Sequence, residues 1–259
     1  MLLPQYIYTL SVLRYKRLLR ELPIKRQRHY VPFIILCHPR SGSTLLHTYL
    51  NSHPAIVSKG EKLIRDQRNR DGLPDSIYIS KEVFDPQPTL IRAVGIKFFV
   101  DLVSYEGEQA LVDELNRMED LKIILLKRRN PLRMVLSDKI AQKTGQMSAW
   151  RSRHSLSLAE RQVRLNPETC VSSLKSKAQQ FTRAESAFIS PQRLTVFYED
   201  LVSQNTATLK RVQQFLEVPY RRLYTLLRQQ NPEPLRELIS NYDELERGLA
   251  GSEWAKFLE

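Results

Sequence analysis

Two short stretches hold the residue types that binding a tetrahedral anion requires. The first is "HPRSGSTLL", His38 to Leu46, which follows the apolar run Phe33 to Cys37 and leads into residues that favour helix. A strand that turns into a helix presents the helix's unpaired first-turn N–H groups, at the positive end of its dipole, to whatever sits beyond the turn. Gly42 lets the backbone come close to a ligand, Ser43 and Thr44 add hydroxyl donors, and Arg40 offers a planar fork of donors. The loop is not the usual nucleoside-triphosphate loop: it has one glycine and no Gly-Lys-Ser/Thr ending. Taken alone, a Ser/Thr-rich helix cap with an incidental arginine would read the same way.

The second stretch is "IILLKRRNPLRMVLSDKIAQ". A buried strand ends in Arg128 and Arg129, Asn130 makes the turn, and Pro131 stands where a first helical position favours proline. Arg133 and Ser137 are four apart and share a helix face, with Arg129 entering from the strand end. Two strand-to-helix turns armed in this way suit a ligand with phosphates at two places. Lys97, enclosed by apolar residues in "VGIKFFV", is an uncommon place for an ammonium unless it has a partner or sits on an edge strand facing water.

The elements that must hold these residues follow from periodicity. Strand-like runs at Phe33 to Cys37, Ala93 to Val100, Lys122 to Lys127 and Arg193 to Tyr198, with a shorter one at Ala55 to Ser58, alternate with helical patterns such as Gln109 to Met118 and Leu132 to Lys143. That alternation predicts an α/β fold, a parallel sheet with helices on both faces, whose ligands bind beyond the carboxyl ends of the strands. Asp66 to Thr89 and Thr144 to Pro167 break the pattern and read as binding loops or lids. No repeat or internal boundary divides the chain, so one domain is expected over residues 31–259, preceded by a basic segment over residues 1–30.

The whole chain of 259 residues carries a formal charge of +12, which favours anionic partners. Cys37 and Cys170 make neither a disulfide framework nor a metal-ligand spacing, so a reducing, cytoplasmic setting is expected and no metal. The apolar run before Arg14 is too short to span a bilayer and has no evident cleavage site. Arg14, Lys16, Arg17, Arg20, Lys25, Arg26 and Arg28 against the single acid Glu21 leave two readings of the leader: a basic amphipathic helix in peripheral contact with an anionic membrane, or a solvated helix packed on the domain by Leu13, Leu18 and Leu19. No nucleic-acid-binding motif is present.

"PRSGSTLLHTYLNSHP" together with "KRRNPLRMVLS" resembles the sulfotransferases that use 3'-phosphoadenosine-5'-phosphosulfate (PAPS). "HPAIVSKGE", "VGIKFFVD", "FYEDLV" and "NYDELERGLAG" are similar to the bacterial nodulation-type carbohydrate members, and the match runs from about Phe33 to the C-terminus. The resemblance implies a P-loop-like central parallel sheet. It places the 5'-phosphosulfate on Arg40, Ser41, Gly42, Ser43 and Thr44, and the 3'-phosphate on Arg129 and Ser137, eight positions apart as in the family; Arg128 fits that interval less well. It sets Tyr198 beside the adenine, while Leu45 stands where cytosolic members stack a tryptophan.

For transfer, the resemblance implies Glu61 as general base and Lys97, with Arg40, as the cations at the sulfate; His38 and His53 are the competing bases. The acceptor it implies is a hydroxyl of a carbohydrate or of a lipid-linked molecule, bound by residues of Lys62 to Thr89 and Thr144 to Pro167, with "NYDELERGLAG" closing over the nucleotide. Two other classes compete. A P-loop kinase or NTPase would use Asp101 for magnesium, and a protein that binds anions or nucleotides without turnover would need only the positive charge.

Overall fold

A computed structural model describes residues 4–63, 72–104, 108–148 and 156–258. Five strands, β1 (Val31–Cys37), β2 (Ile56–Ser58), β3 (Ala93–Phe99), β4 (Lys122–Lys127) and β5 (Arg193–Phe197), form one sheet in the order β2-β3-β1-β4-β5. Every pairing is parallel, with Ile34 of β1 opposite Ile96 of β3 and Ile123 of β4. The strands are nearly continuous apolar runs because a parallel sheet is covered on both faces. The principal helices are α1 (Pro4–Glu21), α2 (Ser43–Asn51), α3 (Gln109–Asn116), α4 (Leu132–Thr144), α5 (Pro167–Ala187), α6 (Tyr198–Ser203), α7 (Asn205–Phe215) and α8 (Tyr242–Leu249).

Strand alternation divides the core in two. Ile34, Leu36, Val94, Ile96, Phe98, Ile123 and Leu125 point to one face and pack on Leu111, Val112 and Leu115 of α3 and Ala184 of α5. Phe33, Ile35, Ala93, Ile124 and Leu126 point to the other, against Leu46 and Leu50 of α2 and Leu209 and Val212 of α7. A third cluster joins Leu132, Leu136 and Ile140 of α4 and Leu174 of α5 to Leu245 and Leu249 of α8. The parallel sheet with helices on both faces, in a single α/β domain, is as the alternation predicts. Boundaries shift slightly: Val100 starts a 3-10 turn and Tyr198 opens α6.

The two stretches read as loops are more ordered than their polarity suggests. Residues 64–71 lie outside the described part, but beyond them Tyr78, Ile79, Val83 and Phe84 are buried in the first core face on consecutive helical turns. Gln87–Pro88 then pairs antiparallel with Arg26–Gln27, tying the leader to the domain. In the second stretch residues 149–155 lie outside the described part, while Ser157 caps a helical turn and Val163 and Leu165 enter the third cluster.

The leader is a helix packed on the domain, although not by the residues its leucines suggest. Thr9, Val12, Lys16 and Leu19 face inward, whereas Leu13 and Leu18 stand exposed. Lys16 decides the roll of the helix: its ammonium donates to the carbonyl oxygens of Asn51 (2.8 Å) and Ile56, acceptors at the end of α2 and the start of β2. Burial pushes its pKa down to about 7. Among the described residues no helix is long and apolar enough to cross a membrane.

Candidate active site

A cleft of about 340 Å³ opens beyond the carboxyl ends of β1, β4 and β5, where the parallel topology leads ligands to bind. The turn after β1 forms its floor. Gly42 caps α2 in the left-handed region (φ 93°) and, being glycine, gives the first-turn amides no side-chain cap. A Cβ on Gly42 would stand 2.3 Å from Cδ2 of Tyr198, so only glycine allows that ring to lie against the turn. Arg40 also has positive φ (65°), a costly conformation for a residue with a Cβ. Ser43 and Thr44 line the cleft, while Ser41 is turned inward, its hydroxyl donating to the carbonyl of His38 at 2.7 Å and so closing the turn.

The second turn delivers its arginines differently from the expected interval. Arg128, 10% exposed, lines the cleft; it stacks 4.5 Å from the Tyr198 ring centroid and donates to the carbonyl of Arg40 at 3.1 Å. Its Nε has no hydrogen-bond partner among the described residues, with Glu199 Oε1 4.0 Å away. Arg129, 50% exposed, is absent from the cleft lining and is held bidentately by Asp200 at 2.7 and 3.0 Å, with its guanidinium over Phe197. Arg133 lines the cleft and donates to the carbonyls of Asn231 and Glu233.

The two turns also meet directly. Arg40 Nε and Nη2 donate to Ser137 Oγ at 3.1 and 3.0 Å, and the same guanidinium reaches Gln230 Oε1 at 2.8 Å and the carbonyl of Met147 at 2.6 Å. Both turns therefore open into one continuous cleft. Four arginines line it, Arg40, Arg128, Arg133 and Arg228. Among the described residues the first three hydrogen-bond to carbonyls, a hydroxyl and an amide rather than to carboxylates, and burial lowers the pKa of each. An anion entering the cleft would offer these guanidiniums direct charge-assisted hydrogen bonds, which the nearest carboxylate to Arg128, Glu199 at 4.0 Å, does not make. Asn231, also in the lining, has an Oδ1 without a partner among the described residues, an acceptor that a donor group of a ligand could use.

Glu61 and Lys97 lie behind the wall that Thr44 forms. Lys97 is buried on an inner strand, not an edge, because β3 lies between β2 and β1. Its ammonium forms an ion pair with Glu61 and donates to Thr44 Oγ1 at 3.3 Å. Glu61 is reached by a left-handed turn at Gly60 (φ 72°), whose carbonyl accepts from the Lys97 N–H at 2.8 Å. The approach to that turn is gripped from α2: Asn51 exchanges two hydrogen bonds with the backbone of Ser58, and its amide also donates to His47 Nε2 at 3.3 Å. His47 Nδ1 therefore carries the proton and donates to Ser58 Oγ at 2.7 Å. Sequence reasoning passed over this pair, although residues 47 and 51 share a helix face.

The competing histidines are occupied structurally. His38 donates from Nε2 to the carbonyl of Lys177 at 2.8 Å, and burial holds its pKa at about 4. His53 donates to the carbonyl of Pro219 while its Nδ1 accepts the Ala55 N–H. Asp101 is outside the cleft lining, and "NYDELERGLAG" packs into the third cluster; it is the segment before it, Leu227 to Asn231, that walls the cleft. Of the stretches expected at the acceptor, residues 64–71 and 149–155 lie outside the described part, and Met147 and Ser148 line the cleft.

Comparison with known proteins adds an independent line. A profile of the Sulfotransferase family matches residues 32–88 and 112–222. Nodulation protein H of Rhizobium tropici is 31% identical over 237 residues, covering 88% of this chain and 93% of that protein. Nodulation protein H of Rhizobium meliloti (strain 1021) is 27% identical over 236 residues, covering 88% and 95%. Among solved structures, a sulfotransferase from Alicyclobacillus acidocaldarius is similar over 88% of this chain and 93% of that chain, at 19% identity and a TM-score of 0.49.

Proposed function

The chain belongs to the sulfotransferase family, and on that premise we propose that it moves a sulfuryl group from PAPS to a hydroxyl of a carbohydrate or lipid-linked acceptor, with Glu61 as the general base. The residues present fit such a donor. An uncapped helix start and three arginines without hydrogen-bonded carboxylates suit two phosphate groups, and the unpartnered Arg128 Nε and Asn231 Oδ1 leave a donor and an acceptor for the nucleotide. The observation that carries the proposal is the line from Glu61 through Lys97 to Thr44. It joins a carboxylate and an ammonium to the wall of the anion cleft.

The donor supplies an activated sulfuryl group; the protein supplies position and charge. Glu61 takes the proton of the acceptor hydroxyl as its oxygen attacks sulfur in line. The bond from sulfur to the phosphate oxygen breaks on the opposite side, and adenosine 3',5'-bisphosphate leaves with the added negative charge. Lys97, Arg40 and the first-turn amides of α2 stand where that charge grows. In this reading Arg128 and Ser137 hold the ribose phosphate, with Arg128 in the place the family interval gives to Arg129, and Tyr198 and Leu45 flank the adenine. The carbohydrate acceptor follows the resemblance to nodulation-type enzymes.

The test is Glu61→Gln. It should keep binding adenosine 3',5'-bisphosphate while transfer from labelled PAPS to a carbohydrate acceptor falls by about 100-fold or more, the range of a lost general base. Undiminished transfer by this variant would assign the base elsewhere.

A further inference from the structure

Six of the twelve large hydrophobic side chains that stand exposed among the described residues lie between positions 7 and 22: Ile7, Leu10, Leu13, Tyr15, Leu18 and Leu22. All but Leu22 belong to α1, whose other face is committed to the domain through Val12, Lys16 and Leu19. The Lys16 bonds to Asn51 and Ile56 and the edge-on contact of Tyr8 with Tyr224 (centroids 5.2 Å apart) fix the roll of the helix. Ile7 (52% exposed) and Leu18 (57%) therefore cannot be turned inward by rotation. A helix lying on a domain ordinarily turns polar residues outward, so this face is built for something other than water.

The charge around it narrows the choice. Arg14, Arg17 and Arg20 are exposed on the same helix and Lys25, Arg26 and Arg28 follow it, against the single acid Glu21, which is engaged by Arg17. A second copy of the chain would set arginine against arginine across a shared face. Aliphatic side chains interleaved with long cationic ones match the boundary between acyl chains and headgroups of an anionic bilayer, where leucines enter and arginines extend to the phosphates. We propose that the outward face of α1, with the basic residues after it, docks on an anionic lipid surface. This stands apart from the transfer chemistry, because none of these residues lines the cleft.

The test is co-flotation of the full chain with vesicles of phosphatidylcholine alone or mixed with phosphatidylglycerol. Binding to the mixed vesicles should be about tenfold or more tighter and weaken with salt. The double variant Ile7→Ser, Leu18→Ser should lose about tenfold or more in partitioning, and Arg14→Gln about fivefold. Melting temperature and binding of adenosine 3',5'-bisphosphate should be unchanged in each, which separates a failed surface from a failed fold or a failed nucleotide site. The proposal is overturned by equal binding to both vesicle types, by no binding to either, by wild-type partitioning of the serine double variant, or by a dimer in sedimentation that Leu18→Ser dissociates.

Discussion

Truncating Arg128 and Arg129 separately should give opposite results for nucleotide binding. Arg128 is nine-tenths buried, makes one hydrogen bond to a backbone carbonyl, and keeps an unpaired Nε in a cleft without a carboxylate in hydrogen-bond range. Bound phosphate oxygens would give it charge-assisted hydrogen bonds worth about 1.5–3 kcal/mol each. Losing a two-pronged contact of this kind costs about 3–5 kcal/mol, or about 150- to 5,000-fold in Kd. Arg129 is engaged by Asp200 on the surface, so Arg129→Ala should leave Kd within about twofold. Arg128→Lys keeps the charge but loses the fork, and should fall between. Isothermal titration with adenosine 3',5'-bisphosphate measures all three, and a thermal melt of each variant guards against unfolding, since Arg128 also stacks on Tyr198. If Arg129→Ala weakens binding more than Arg128→Ala does, the family interval governs and the assignment drawn from the cleft is refuted.

Gly42→Ala should destabilise the protein by about 2–4 kcal/mol, combining a left-handed backbone with a Cβ pressed into the Tyr198 ring, and should abolish detectable nucleotide binding; a melt and the same titration check it. Acid should weaken the fold between pH 6.5 and about 4, because burial holds His38 and His47 neutral down to about 4 while the unfolded chain takes up protons from 6.5 downward. Stability then rises with pH across that window, by at most about 3 kcal/mol for each histidine. Urea midpoints measured against pH should show the slope, and His47→Gln should flatten it; an unchanged slope in that variant would count against the burial argument.

The sheet and its first turn were legible because local and global signals agree there. Apolar runs bounded by polar residues gave the strands, and a glycine after Arg40 and Ser41 marked a turn that a side chain could neither cap nor fill. The order of the polar stretches was not legible, since Tyr78, Ile79, Val83 and Phe84 owe their burial to a core face that only the assembled sheet presents. Likewise Leu13 and Leu18 outbid Lys16 on any hydropathy scale. The carbonyls of Asn51 and Ile56 nevertheless draw the ammonium inward and roll the helix away from its leucines. A buried lysine with backbone acceptors far along the chain leaves no local pattern to read.

That Arg128 rather than Arg129 lines the cleft has a different cause, because the signal was in the sequence all along. In β4, Ile124 and Leu126 face α2 while Ile123 and Leu125 face α3. Side chains alternate along a strand, so the even positions point to the α2 side. Carried one step past the strand, the same parity sends Arg128 into the cleft beside the α2 turn. Lys127 goes to the other face, where it meets Glu185 and Phe181 of α5. The rule also holds for β3: Ala93 faces α2 and Lys97 reaches Thr44, while Val94, Ile96 and Phe98 take the opposite face. A motif interval counts residues along the chain, whereas the pleat fixes which of two neighbours can enter a site. Where the two disagree at a strand end, the pleat is the physical constraint, because exchanging Arg128 and Arg129 would mean reversing the faces of Ile124 and Leu126 in the core.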